Sequence, residues 1–175
     1  MIAVDTPVLR FKDDHGNDFP DWEEKKLGEL ASKVGSGSTP TGGAKVYQDS
    51  GVLFIRSQNV NNNTLDLGSS TFISSAIHEK MKGSTVQPLD VLLNITGASI
   101  GRSCVVPEDF STGNVNQHVC IIRTKQELSP LFLQLYLSSF WGQKLILRGQ
   151  AGGGREGLNF QSIRIFKIPC PSPDE

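Results

Sequence analysis

A single switch of hydrophobic period, near residue 125, divides this chain into two kinds of structure. Before it, β-branched runs recur: VLFIRSQNV at 52–60, DVLLNITGASIGRSCVV at 90–106 and QHVCIIRT at 117–124. Such short runs, broken by turn residues about every ten positions, read as the strands of a small curled β structure over 50–124. After the switch, SPLFLQLYLSSFWGQKLILRGQ fills 129–150. It starts with Ser129 as an N-cap and Pro130 at the first helical position. Apolar residues at 131, 132, 135, 136, 140 and 141 then follow helical spacing. Gly142 is placed to bend this segment or divide it into two helices. The closing LNFQSIRIFKIPCP reads as a helical turn and a final strand at 163–168, ended by Pro169, Pro171 and Pro173.

Upstream, residues 1–20 mix charges with Gly16, Asn17 and Pro20 and read as an irregular arm with a short strand at Val8–Lys12. In 21–34, Trp22, Leu27, Leu30 and Val34 recur at helical spacing behind Asp21, a candidate N-cap. Gly28 weakens a helix there, so a short helix or turn carrying Trp22 and Leu27 into the core is expected. GSGSTPTGGAKVY at 35–47 must be loop, and AIHEKMKGS at 76–84 offers one or two helical turns. The 175 residues suit one domain, assigned to 21–173 behind the arm. Hydrophobic residues at 37%, with 18 glycines and nine prolines, imply a modest core and much loop.

The net charge of −1 favours no polyanion, but its distribution is uneven. Residues 1–30 hold four Lys/Arg against eight Asp/Glu, and residues 110–173 hold seven against two. A nucleic-acid partner would therefore meet a local basic patch. Cys104, Cys120 and Cys170 are odd in number and lack a C-x-x-C pair, which argues against disulfides and zinc. That fits a reducing cytoplasm. With no run of 18 apolar residues and no signal-peptide layout, a soluble cytoplasmic protein is expected.

Gly152, Gly154 and Gly157 spell G-x-G-x-x-G, the pattern of a dinucleotide loop. That loop needs a strand before it, a helix after it and an acidic residue further on. Here a helical segment precedes it and prolines close the chain soon after, so a flexible connector fits better. No Gly-Lys pair, no G-x-S-x-G and no cluster of His, Asp or Glu supplies a phosphate cradle, a nucleophile or a metal site. What remains is polar. RSQNVNNN at 56–63 sets Arg56, Gln58, Asn59, Asn61 and Asn62 together. Arg pairs bidentately with guanine, and Asn or Gln with adenine. Three classes stay open on these residues: a nucleic-acid reader, a β-rich protein- or carbohydrate-binding module, and a nucleotide-binding enzyme using the 152–157 loop.

Eight stretches together decide the direction. WEEKKLGEL, GSGSTPTGG with Tyr47 after it, GVLFIRSQNV, DVLLNITGASIG, GNVNQHVCII, LFLQLYLSS, AGGGREGLN and IRIFKIPCP occur in that order over about residues 20–173. The set resembles a target-recognition domain of a type I restriction-modification specificity subunit. The resemblance implies an α+β fold: a twisted, β-helix-like strand region followed by a C-terminal helical hairpin. It implies a non-enzymatic reader of one half of a bipartite double-stranded DNA site, with no cofactor of its own. S-adenosylmethionine, magnesium and ATP would belong to partner methyltransferase and restriction subunits. A second recognition domain or a second copy would read the other half. The long spacer helix that follows such a domain is expected after 173.

Motifs shared by readers of different targets cannot specify the bases. Trp22, Leu27, Gly97, Ile100, Gly101, Asn116 and Gln117 are therefore assigned to the fold. Base contacts are assigned to Arg56, Gln58, Asn59, Asn61 and Asn62. Phosphate contacts are assigned to Lys45, Lys80, Lys82, Arg102, Arg148 and Arg155.

Overall fold

The computed structural model describes residues 10–61, 63–150 and 157–171. The chain opens with β1 (Glu23–Lys26), a one-turn helix α1 (Leu27–Leu30) and β2 (Ala31–Ser36). The strand-rich stretch then runs β3 (Tyr47–Gln48), β4 (Val52–Ile55), β5 (Val60–Asn61), β6 (Thr64–Leu65) and β7 (Phe72–Ile73). After α2 (Ser75–Lys80) come β8 (Thr85–Val86), β9 (Val91–Asn94), β10 (Ser103–Val105), β11 (Gly113–Val115) and β12 (Val119–Thr124). Helices α3 (Pro130–Ser138), α4 (Phe140–Gln150) and α5 (Phe160–Arg164) follow, and β13 (Lys167–Cys170) comes last.

An antiparallel sheet in the order β10-β9-β12-β2 forms the middle layer. Its central strands explain the apolar runs of the sequence. Because side chains alternate along a strand, Val119 and Ile121 of β12 and Leu92 of β9 enter one core. Cys120 and Ile122, with Val91 and Leu93, enter the other. The first core joins this sheet to a mixed sheet, β3-β7-β4-β11-β8, in which β4 and β11 run parallel. The second joins it to the helices, through Leu133 and Leu137 of α3, Ile146 of α4 and Ile163 of α5. The result is an α+β fold in which a strand-rich region is followed by the paired helices α3 and α4, then α5 and the returning strand β13.

Several elements differ from their sequence-based expectation. The stretch 35–47 is not all loop: Gly35 and Ser36 close β2 and Tyr47 opens β3. The short helix expected within 21–34 is present as the single turn Leu27–Leu30, but strands flank it on both sides, because β1 pairs with β13 and β2 with β12. Pairing with residues far along the chain outweighs the local helical spacing. Leu27 is nonetheless fully buried, and Trp22 meets Phe132 edge-on at 5.8 Å. The run 52–60 breaks after Ile55 into a 3-10 turn at Ser57–Asn59. The helical segment divides at Ser139, and Gly142 serves close approach instead: a Cβ there would lie 2.0 Å from the Tyr136 carbonyl. The last strand begins at Lys167, and Ile163 is helical. Pro169 is tolerated in it because β13 pairs on one side alone. Of the strand placed at Val8–Lys12, residues 8 and 9 lie outside the described residues, and Lys12 makes one bridge to Asp18.

Candidate nucleic-acid interface

Strands β2, β4, β9 and β11 all end at one margin of the stacked sheets, and backbone hydrogen bonds tie the loops that leave them. Gly37 N–H donates to the Asn116 carbonyl (3.2 Å), and Asn116 N–H to the Ile55 carbonyl (3.1 Å). Ile95 N–H donates to the His118 carbonyl (3.0 Å) and Leu158 N–H to that of Ile95 (2.9 Å). The fit requires glycine at residue 37, since a Cβ would sit 1.8 Å from the Val115 oxygen. Residue 157, where the glycine-rich loop ends, bridges Thr96 at the same margin. Gly152 and Gly154 lie outside the described residues.

Side chains complete the tie. Thr39 donates to Gln117 Oε1 (2.6 Å), whose amide reaches His118 Nε2 (3.0 Å). His118 Nδ1 meets the Thr96 hydroxyl at 2.6 Å. Asn116 is 6% exposed and closes a turn by accepting the His118 N–H. Buried Asn94 donates to the Ser57 carbonyl (2.8 Å), fixing the 3-10 turn to β9. Gly97 and Gly101 adopt left-handed φ values of 72° and 88°, a conformation glycine supplies without strain. Gln143 of α4 donates to the Gly101 carbonyl, and half-buried Ile100 packs toward the helix-side core.

The base-contact candidates separate into two groups. Arg56 and Asn59 face inward. Asn59 is 3% exposed, accepts the Arg56 N–H on Oδ1 and donates to the Asp66 carbonyl. Arg56 donates to the Thr71 hydroxyl at 2.6 Å, and its Nε is buried. Gln58 is exposed beside them. Asn61 is half-buried and joins a different set: its Oδ1 accepts from Arg102 and its Nδ2 points to Asp66, each at 3.4 Å. Asn62 lies outside the described residues.

The phosphate candidates do not form one patch. Exposed Lys45 precedes β3 at one edge of the mixed sheet, whereas Lys80 and Lys82 lie beside α2 and β8, at the other edge. Lys82 holds Glu79 at 2.6 Å, and that hydrogen bond lowers the Glu79 carboxyl below its ordinary range. Arg102 is exposed beyond β9, and Arg148 occupies the last turn of α4. Arg155 lies outside the described residues.

One polar clamp joins residues, within the quoted stretches RSQNVNNN and LFLQLYLSS, to which the sequence assigns no site role. Asn63 is left-handed (φ 64°) and its N–H donates to the Ser103 carbonyl. Its Oδ1 accepts from Gln134 and from Ser138, both on α3. Gln134 is 2% exposed. A lone Gln inside LFLQLYL was the available signal, since a buried amide in an apolar helix face needs partners. Among the described residues, no three His, Cys, Asp or Glu gather as metal ligands, and no helix is long and apolar enough to cross a membrane.

Comparison with known proteins gives this margin a context. The model of the type I restriction modification DNA specificity domain matches residues 20–175. The specificity subunit of type I restriction enzyme EcoBI from Escherichia coli is 33% identical over 128 residues, which cover 71% of this chain and 26% of that subunit. The crystal structure of an HsdS subunit from Thermoanaerobacter tengcongensis superposes with a TM-score of 0.63 at 17% identity, over 91% of this chain and 36% of that one. The S subunit of a type I system from M. genitalium gives 0.61 at 13%, over 96% and 38%. The chain thus spans about a quarter of the length of the curated relative and somewhat over a third of the solved ones.

Proposed function

The chain belongs to the type I restriction-modification DNA specificity domain family, and on that premise we propose that it reads one half of a bipartite double-stranded DNA target and leaves catalysis to partners. The observation that carries this reading is the family match across residues 20–175. The convergence of polar loops at one margin gives it a physical surface. Gln58, Arg102 and Gln117 are exposed along this margin and its flank, on loops anchored by buried asparagines. Rigid loops on a sheet end are suited to base edges, while dispersed cations such as Lys45, Lys82 and Arg148 are suited to phosphates.

In this reading the partners are methyltransferase subunits that take S-adenosylmethionine and restriction subunits that take ATP and magnesium. A second recognition domain, or a second copy of this one, reads the other half-site. The test is selection from a random duplex library at low and moderate salt, sequencing what the chain retains. An enriched motif of a few base pairs is expected. Retention without enrichment would restrict the chain to phosphate contact. No retention at any salt would overturn the reading and favour a protein- or carbohydrate-binding module.

A further inference from the structure

Opposite charges share the wall of one open depression, of about 550 Å3, beside the β5–β6 hairpin. Arg102 forms one side, with Nη1 3.4 Å from Asn61 Oδ1. Asp66 forms another: its Oδ2 receives the Asn61 amide at 3.4 Å and its Oδ1 the Gly68 N–H at 2.9 Å. Exposed Thr64 and Leu67 complete the rim. A phosphate approaching Arg102 would also approach the Asp66 carboxylate, a like charge. A base pair presents donors and acceptors side by side, so the same two groups suit it. A guanidinium donates to guanine O6 and N7, and a carboxylate accepts from cytosine N4.

The hairpin is also held as a reading element must be. Asn63 pins it to Ser103 and to Gln134 and Ser138 of α3, and Arg102 follows Gly101, which Gln143 of α4 fixes. By contrast, the side chains of Arg56 and Asn59 are already engaged: Arg56 donates to the Thr71 hydroxyl, and Asn59 accepts the Arg56 N–H and donates to the Asp66 carbonyl.

We propose that the β5–β6 hairpin with Arg102 is the base-reading subsite, in which Arg102 and Asp66 take the guanine and cytosine edges of one G·C pair and Asn61 orients both. Arg102 is then a base reader and not a phosphate contact. The proposal rests on the DNA-recognition reading above.

The experiment is the duplex selection repeated with Arg102→Lys and Asp66→Asn. The first keeps the charge and loses the fork; the second keeps an oxygen for the Gly68 cap and loses the negative charge. Thermal melting verifies that both fold. The unaltered chain is expected to select a motif containing a G·C pair. Each variant is expected to lose about tenfold discrimination at that position, to keep the others, and to leave the salt dependence of binding unchanged. If folded variants select the original motif undiminished, the subsite is wrong. If Arg102→Gln weakens all sequences alike and lowers the salt slope by about one, Arg102 contacts phosphate and the proposal falls. A chain that binds duplex but enriches no motif overturns base reading itself, and this subsite with it.

Discussion

Asp90 is fully buried, and Arg123 grips both of its oxygens, Nε to Oδ1 and Nη2 to Oδ2, each at 2.8 Å. The carboxylate also accepts the Gln87 N–H. Removing the guanidinium by Arg123→Met leaves a buried charge without its partner. That is expected to cost about 3 kcal/mol, the low end for a buried pair because Arg123 is partly exposed, and to show as a lower urea midpoint at pH 7. Cys104 and Cys120 carry a second residue-scale effect. Burial pushes both thiols up to about 12. The unfolded chain ionises them near pH 9 while the fold keeps them neutral, so protons are lost on unfolding. Stability is therefore expected to hold below about pH 9 and to fall as pH rises from there toward 12. Urea midpoints at pH 8, 9.5 and 10.5 measure this, and Cys104→Val should flatten the decline. At this scale the sequence revealed apolar identity well: Leu27 and both thiols are buried. It did not reveal which polar groups turn inward, because Asn59 and Gln58 are adjacent and equally polar, yet only the fold buries one of them.

At the scale of elements, α3 begins where Ser129 and Pro130 place it, since capping is a local property. The first strands leave no local signal because their partners lie far away, with Glu23 opposite Cys170 and Val34 opposite Ile122. The same distance hides the clamp between the hairpin and α3, where Asn63 and Gln134 stand 71 residues apart. Gln134→Leu removes its amide donor, leaves Ser138 in place and preserves helix propensity. The helix is expected to persist by circular dichroism. The amide protons of the β5–β6 hairpin, Asn63 first, are expected to exchange about tenfold faster, equivalent to the loss of roughly one hydrogen bond. Unchanged exchange would show that the Gln134 amide contributes nothing to holding the hairpin, which Ser138 and the Ser103 carbonyl still tie at Asn63.

Over the whole molecule, the margin is assembled from segments that the sequence scatters: 37–39, 56–59, 94–102, 116–118 and 157–158. Composition could show a basic last third but not where its charges would sit in space. The candidate phosphate contacts Lys82 and Arg148 lie on different elements, one beside α2 and one on α4. If both touch the duplex, Lys82→Ala and Arg148→Gln should each weaken all sequences alike and each lower the slope of log affinity against log salt by about one. Fluorescence anisotropy across a salt series reads this directly, and an unchanged slope for either removes that residue from the footprint.

The pairing of β1 with β13 joins the first strand to the last. In a chain made from its N-terminus, β1 waits for its partner through almost the entire synthesis of the domain. Leu27, whose N–H is received by the Phe166 carbonyl, waits with it. So much non-local closure raises the contact order and slows folding. A nascent chain stalled before residue 166 would present an unpaired strand and an unfilled core to whatever chaperone attends the ribosome.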